Sequence, residues 1–291
     1  VGVQTIFGPI LSRRLGRSLG VNNVFRKYCS YSCIYCQAGR TTNLTIERRK
    51  FHEPESVLRE LESALKSIDW GIDYVTFVPN GEPTLDSNLG EEISLIKDLG
   101  VKVAIITNSS LLFREDVRRD LWESDLVSLK VDSVREESWR KINRPHRALS
   151  LNKVMEGMRE FSSEYSGRLL TETMVIGNFK YKEKEIEEIS HFIGELDPEV
   201  AYLSLPVRPP SEKRVTLPTS ETLNKFKEAF SSLNYKVLSE DVEQEVRVED
   251  LPEIVKVHPI KVNSSIKDHP GLKVVEYSGK KYYVPVEKEK N

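Results

Sequence analysis

Cysteine is scarce in this 291-residue sequence: there are three, and all lie between positions 29 and 36. An odd number crowded into eight residues excludes a disulfide framework and points to a reducing compartment and metal chemistry. No apolar run is long enough to span a bilayer. The stretch around Arg13 and Arg14 also lacks the basic-then-apolar order of a secretory leader. A cytoplasmic protein without a membrane partner is expected. Low-complexity tracts and repeats of solenoid period are missing too. Hydrophobic residues make up 38% of the chain, enough for a full core, which excludes a disordered polymer.

Net charge is almost absent, at −2, but it is unevenly spread. Residues 1–50 carry nine Lys or Arg against Glu47 alone, giving +8 there and −10 over the remainder. Such segregation implies either an anionic partner near the N-terminal segment or pairing with acids elsewhere in the fold.

Short β-branched runs alternate with amphipathic helical patterns from about residue 20 onward. Strands are expected at 20–25, 74–78, 101–107, 126–131, 169–176 and 201–205. Helices are expected at 54–68, 88–99, 114–124, 150–165 and 183–196, with Pro54 in a first turn and Ser150 as a cap. This order predicts an α/β fold with a mostly parallel sheet, a partial (β/α)6 TIM-like barrel whose chemistry sits at the carboxyl ends of the strands. Pro206, Pro209, Pro210 and Pro218 mark a linker. The expected domains are therefore 1–210, the barrel, and 211–291, a small α+β appendage. The appendage would hold a helix at 220–233 and a hairpin turning at Ser278-Gly279.

Cys29-Ser-Tyr-Ser-Cys33-Ile-Tyr-Cys36 places three thiols on one tight loop. Soft thiolates select zinc, copper(I) or iron–sulfur clusters. A closed zinc site wants four ligands, for which only His52 is near in sequence. An iron–sulfur cube held by three cysteines keeps one iron open to another molecule. His146, His191, His258 and His269 show no ligand spacing, and Tyr277, Tyr282 and Tyr283 suit hairpin packing or base stacking.

The Cys-x3-Cys-x2-Cys spacing, with aromatic Tyr35 before the last Cys, resembles the radical S-adenosylmethionine (SAM) superfamily. Pro79-Asn80-Gly81-Glu82-Pro83 after the second strand is similar to that family's Gly-Gly-Glu-Pro motif. Asn80 stands in the place of a Gly. Thr107-Asn108-Ser109 resembles its Thr-Asn-Gly, and Ser128-Leu-Lys130-Val-Asp132 its polar fourth strand. The resemblance implies a [4Fe–4S] cluster on Cys29, Cys33 and Cys36, SAM as the second cofactor, and a 5′-deoxyadenosyl radical that abstracts hydrogen from a substrate. It places Tyr35 near the adenine, Asn80, Gly81, Glu82 and Pro83 at the SAM amine, and Lys130 at the carboxylate. Asn108 would join this SAM-binding set, and Ser128 or Asp132 would reach the ribose. No further catalytic residue is assigned. An electron donor such as ferredoxin or flavodoxin is implied.

Residues 7–21, containing Ser12-Arg13-Arg14-Leu15-Gly16, and Lys141-Ile-Asn-Arg-Pro145 look like the wyosine-synthase-like subgroup of iron–sulfur oxidoreductases. That likeness implies a tRNA base as substrate, or another anionic one met by the basic segment. The tRNA wyosine synthases use additional cysteines for a second cluster, and this chain has none. Two alternatives stay open: an activase of glycyl-radical enzymes, acting on a protein, and a non-catalytic zinc-binding module that contacts RNA.

Overall fold

The computed structural model describes residues 4–68, 71–239, 254–255, 259–261 and 271–286. The chain opens with an antiparallel hairpin, β1 (Ile6–Ser12) and β2 (Gly16–Val21), followed by two short strands, β3 (Tyr28–Cys29) and β4 (Asn43–Leu44). Then helices and strands alternate: α1 (Pro54–Lys66), β5 (Tyr74–Phe77), α2 (Leu89–Lys97), β6 (Val103–Thr107), α3 (Glu115–Leu121) and β7 (Leu126–Lys130). Next come α4 (Glu136–Ile142), α5 (Leu151–Glu164), β8 (Arg168–Met174), α6 (Glu183–Leu196), β9 (Val200–Ser204), α7 (Ser220–Ala229) and β10 (Tyr235–Leu238). A separate sheet is made by β11 (Ile260–Lys261), β12 (Leu272–Tyr277) and β13 (Lys280–Pro285).

The main sheet runs β1-β2-β5-β6-β7-β8-β9-β10, and every pairing beyond β1–β2 is parallel. Strands β2 and β5 to β9 form the expected partial barrel. Period-two alternation explains its two cores. One set, including Val75, Phe77, Ile105, Val127 and Leu203, faces the helices and buries Leu61 of α1, Ile93 of α2 and Phe161 of α5. The other, Tyr74, Ala104, Leu126, Leu170 and Val200, fills the floor of the lumen.

Several expectations shift. The first strand lies at 16–21 rather than 20–25, and its hairpin partner β1 and the short α4 went unpredicted. Ser150 takes the N-cap place of α5 without a capping hydrogen bond from its side chain. Helix α7 and strand β10 lie beyond the expected boundary at 210/211, yet β10 extends the main sheet against β9. The terminal hairpin turns at Ser278 and Gly279, both at positive φ (50° and 71°), the conformation a two-residue hairpin turn requires. Its tyrosines pack rather than stack outward: Tyr282 and Tyr283 are buried. Tyr277 and Tyr282 donate from their hydroxyls to the carbonyls of Pro206 and Val207 (2.7 and 2.8 Å). His258 and His269 lie outside the described residues, while His146 and His191 join no ligand cluster.

Glu92 of α2 is buried, and among the described residues neither carboxylate oxygen meets a partner in hydrogen-bond geometry, although the Asn23 side chain is near enough to favour its ionised form. Burial, and then the nearby Asp86, push its pKa well above the usual carboxylate range. The folded chain thus keeps a proton that the unfolded chain releases, and stability falls as pH rises above about 4.5. Glu92→Gln removes this cost. The variant should be more stable by about 1 kcal/mol or more at pH 8, with the gap narrowing toward pH 5, as read by thermal denaturation across that range.

Candidate active site

The three cysteines reach one cavity of about 300 Å³ at the carboxyl ends of the strands, which Tyr35, Gly81, Glu82, Asn108, Ser128 and Lys130 also line. A larger open hollow of about 910 Å³ lies at the amino ends, against Lys102, Asp125 and Arg168, and gathers none of the motifs.

The cysteine loop is held from both sides. The amides of Ser32 and Ile34 donate to the carbonyls of Asn143 and Ile142 (both 2.9 Å), and Tyr31 bridges to Pro145. Opposite, the Ser211 hydroxyl donates to the carbonyls of Cys33 and Ile34 (both 2.9 Å). Arg144, at φ 45°, ion-pairs with Glu212 at 2.7 Å and ties the two braces together. The Lys141–Pro145 motif is thus the bracket of the loop. Asn143 also lies 3.5 Å by its Nδ2 from the Cys33 sulfur, as Asn108 does from the Cys29 sulfur, two donors suited to thiolates.

Burial pushes the Cys33 thiol up to about 12, helped by the charge of Asp132, and Cys29 rises for the same first reason, with Glu82 next. Thiols so placed ionise only against a cation, as a metal centre provides. Among the described residues no three His, Cys, Asp or Glu side chains converge on a single-ion site. Three thiols around one cavity suit a cluster, whose ligands bind different irons. His52 packs edge-on against Phe25 (5.3 Å) and is not among the residues lining the cavity.

The Gly-Glu-Pro turn lies on the cysteine segment. The Glu82 amide donates to the Tyr28 carbonyl (3.0 Å), and a Cβ at Gly81 would overlap that same oxygen. Only glycine fits there. The buried Glu82 carboxylate accepts from the Thr84 amide and hydroxyl, the Thr107 hydroxyl (2.6 Å) and the Asn108 amide (2.7 Å). It joins the ends of β5 and β6, and burial raises its pKa despite those donors. Asn80 and Pro83 are buried behind the lining: the Asn80 amide donates to Asn22 Oδ1, and Pro83 starts a 3-10 turn. Ser109 sits at φ 67°, which explains why a glycine would also suit its place.

On β7 and β8 the polar groups divide. Ser128 lines the cavity with a buried hydroxyl that has no hydrogen-bond partner among the described residues. Asp132 is consumed by the Tyr35 hydroxyl, Asn143 Nδ2 (2.6 Å) and the Met174 amide (2.8 Å). Lys130 lies 5.0 Å over the Tyr35 ring and donates to Glu172 at 2.8 Å, with Asp132 at 3.7 Å. Burial lowers its pKa. Glu172, which also pairs with Arg14, was missed in the sequence. An acid between two threonines within the expected strand at 169–176 was the available signal.

The sequence profile of the radical SAM superfamily matches residues 23–193, which contain the cysteine loop, the Gly-Glu-Pro turn, the strand-end Thr-Asn, the polar fourth strand and the Lys141–Pro145 motif. The chain belongs to the radical SAM superfamily. Members of this superfamily are enzymes that use a [4Fe–4S] cluster and SAM, and they need a reductant. A UPF0026 protein of Methanocaldococcus jannaschii is 43% identical, covering 96% of this chain and 95% of that relative. The GTP 3′,8-cyclase of Peptoclostridium acidaminophilum is 25% identical over 61% of this chain and 52% of its own. Among solved structures, Streptococcus suis SuiB bound to S-adenosylmethionine has a TM-score of 0.55 at 15% identity, covering 73% of this chain and 48% of SuiB. This chain thus spans about half the length of SuiB. TYW1 with a lysine–pyruvate adduct has a TM-score of 0.52 at 14% identity, covering 91% of this chain and 79% of that one. These likenesses show the same fold.

The residues of this radical SAM protein fit its family's cofactors: three thiols with amide donors, a glycine seat, and the unpartnered Ser128 hydroxyl share one cavity. The N-terminal cations are less available than their number implies. Arg14, Arg17 and Arg48 pair with Glu172, Asp73, and Asp116 and Asp120 respectively, and Arg49 lies over the rings of Tyr28 and Phe51. Arg26, Arg40 and Lys50 are exposed. No helix among the described residues is long and apolar enough to cross a membrane.

Gly81→Ala tests the seat of the turn. The overlap falls on backbone, so the variant should lose about 2 kcal/mol or more of stability and take up less iron on reconstitution, read by thermal denaturation and an iron assay.

Proposed function

We propose that Cys29, Cys33 and Cys36 hold the cluster, that Gly81, Asn108, Ser128 and Lys130 form the SAM-binding wall, and that the substrate is a nucleotide, free or as a base of tRNA. The convergence of all three thiols on a cavity shared with these strand ends carries the reading. When bound, the cluster and SAM supply a one-electron cleavage that yields a 5′-deoxyadenosyl radical able to take hydrogen from a substrate.

The chain's own groups orient and shield. Asn108 and Asn143 donate toward the sulfurs, and Glu82 locks Asn108 in place. Asp132 holds the Tyr35 hydroxyl, so the ring and Lys130 face the cavity as one unit. Ser128 offers its hydroxyl to a polar group such as a ribose. Residues 1–210 would form the catalytic barrel, with β10 extending its sheet and the terminal hairpin bonded to Pro206 and Val207.

The nucleotide reading draws on relatives whose names speak of nucleotides, the GTP 3′,8-cyclase and a SAM-dependent nucleotide dehydratase of Flammeovirga pacifica (26% identical over 62% of this chain). Exposed Arg40, beside Arg140 and Arg144 in a hollow of about 390 Å³ next to the cysteine loop, suits an acidic donor such as ferredoxin or flavodoxin.

Anaerobic reconstitution with iron and sulfide, reduction with dithionite, and assay of 5′-deoxyadenosine after SAM addition test the chemistry. Wild type should form the nucleoside and Cys33→Ala should not. Retention of one zinc without iron uptake would sink the reading in favour of a metal-stabilised binding module.

A further inference from the structure

The lumen has a second polar group of residues that the cofactors do not explain. The β1–β2 turn enters it: Leu15 packs on the floor with Tyr74, Leu126 and Val200, and Arg13 and Arg14 line the cavity above. Arg208, buried in the segment after β9, lines it as well. Each arginine is fixed by the protein. Arg14 pairs with Glu172, Arg13 donates to the Leu238 carbonyl (3.2 Å), and Arg208 donates to Gln37 Oε1 (3.2 Å), one residue beyond Cys36.

With Lys130, four cationic side chains line a cavity of about 300 Å³, and the carboxylates lining it are Glu82 and Glu172. Glu82 is saturated by four hydrogen bonds, and Glu172 is divided between Arg14 and Lys130. Burial, and the like charges of Arg13 and Arg208, push the Arg14 guanidinium down to about 10. Guanidinia close enough to repel one another, with Arg208 buried and Arg13 and Arg14 partly so, are favourable when an anion joins them, and their planar forks match carboxylate and phosphate oxygens.

We propose that Arg13, Arg14 and Arg208 form an anion subsite that seats a phosphate or carboxylate group of the substrate inside the lumen. This deepens the functional reading above and rests on it. The subsite selects substrates by an anionic group and fixes their remainder against the SAM-binding wall. Because Arg208 donates to Gln37, the residue after Cys36, seating the anion also orders the edge of the cysteine loop.

The test uses the full chain carrying its cluster and SAM, without reductant, titrated with inorganic phosphate, pyrophosphate and succinate by isothermal calorimetry. At least one probe should bind, the phosphates or succinate marking which chemistry the subsite prefers. Arg208→Gln and Arg14→Gln should each weaken it about tenfold or more, while Lys225→Gln, an exposed control on α7, should match wild type. Arg14→Gln breaks a buried pair and can fail to fold; Arg208→Gln, checked by circular dichroism, then decides alone. Absence of binding by all three anions, unchanged affinity in Arg208→Gln, or displacement of SAM by the anion would each overturn the subsite. Iron content and the change in the cluster's electron paramagnetic resonance on adding SAM, after reduction of a separate sample, report the cofactor reading independently. If those fail, that reading falls; if they hold while the anions do not bind, only the subsite falls.

Discussion

The Glu82 carboxylate is the joint on which the carboxyl-terminal face of the barrel is assembled. Parallel strands end without any covalent or ladder connection between their tips, so something must fix the loops that follow. Here one buried acid accepts from Thr84 on its own turn and from Thr107 and Asn108 at the end of the next strand. Its amide, meanwhile, is bonded to Tyr28, immediately before Cys29. Asn108, so placed, bonds Ser30 at 2.8 Å and approaches the Cys29 sulfur. Two strand ends and the start of the cysteine loop therefore share one fixed point. Burying a carboxylate is costly unless its lone pairs are filled, and four donors fill them.

The same logic recurs one strand further on, where Asp132 takes donors from Tyr35, Asn143 and Met174. Asp132 and Glu82 are both positioning groups, each holding an Asn that approaches a cysteine sulfur. The charges left facing the cavity are of a different kind. Lys130, Glu172 and Arg14 form a chain of ion pairs rather than a saturated single acid. Its members keep hydrogen-bonding capacity that a ligand can use, whereas the saturated acids do not.

Much of this was legible in the sequence. The thiol spacing, the Gly-Glu-Pro turn and the strand-end Thr-Asn are local features, and each lands on the same cavity. What stayed hidden depends on which strands become neighbours. Glu172 matters because β7 and β8 pair with Lys130 opposite it, a register that no local pattern encodes. Asp132 and Ser128 alternate on or beside one strand, and only the fold shows that the first is spent on Tyr35 while the second is open. The brace at Ser211–Glu212 lies in a proline-rich stretch whose composition reads as linker; its role comes from meeting a loop nearly 180 positions earlier. Likewise β10 has only four residues, one of them buried, and its place in the sheet comes from docking beside β9 rather than from its own pattern.

The eight strands do not close into a ring: β1 and β10 are the two edges and do not pair with each other, so strand pairing leaves the lumen open along one side. The N-terminal hairpin answers that problem. Its first strand pairs antiparallel with β2, and its turn then reaches across the gap: Arg13 meets the Leu238 carbonyl of β10, at the far edge of the sheet, and Leu15 packs among inward residues of β5, β7 and β9. The turn thus links the two edges of the sheet. The same contact explains why arginines occupy the turn. A leucine anchors it to the apolar floor, and the two residues before it must then lie higher in the lumen, where Glu172 is the acid within reach. Edge contact and the cationic lining are consequently one structural device, because the turn that joins the two edges of the sheet also brings Arg13 and Arg14 to the cavity wall.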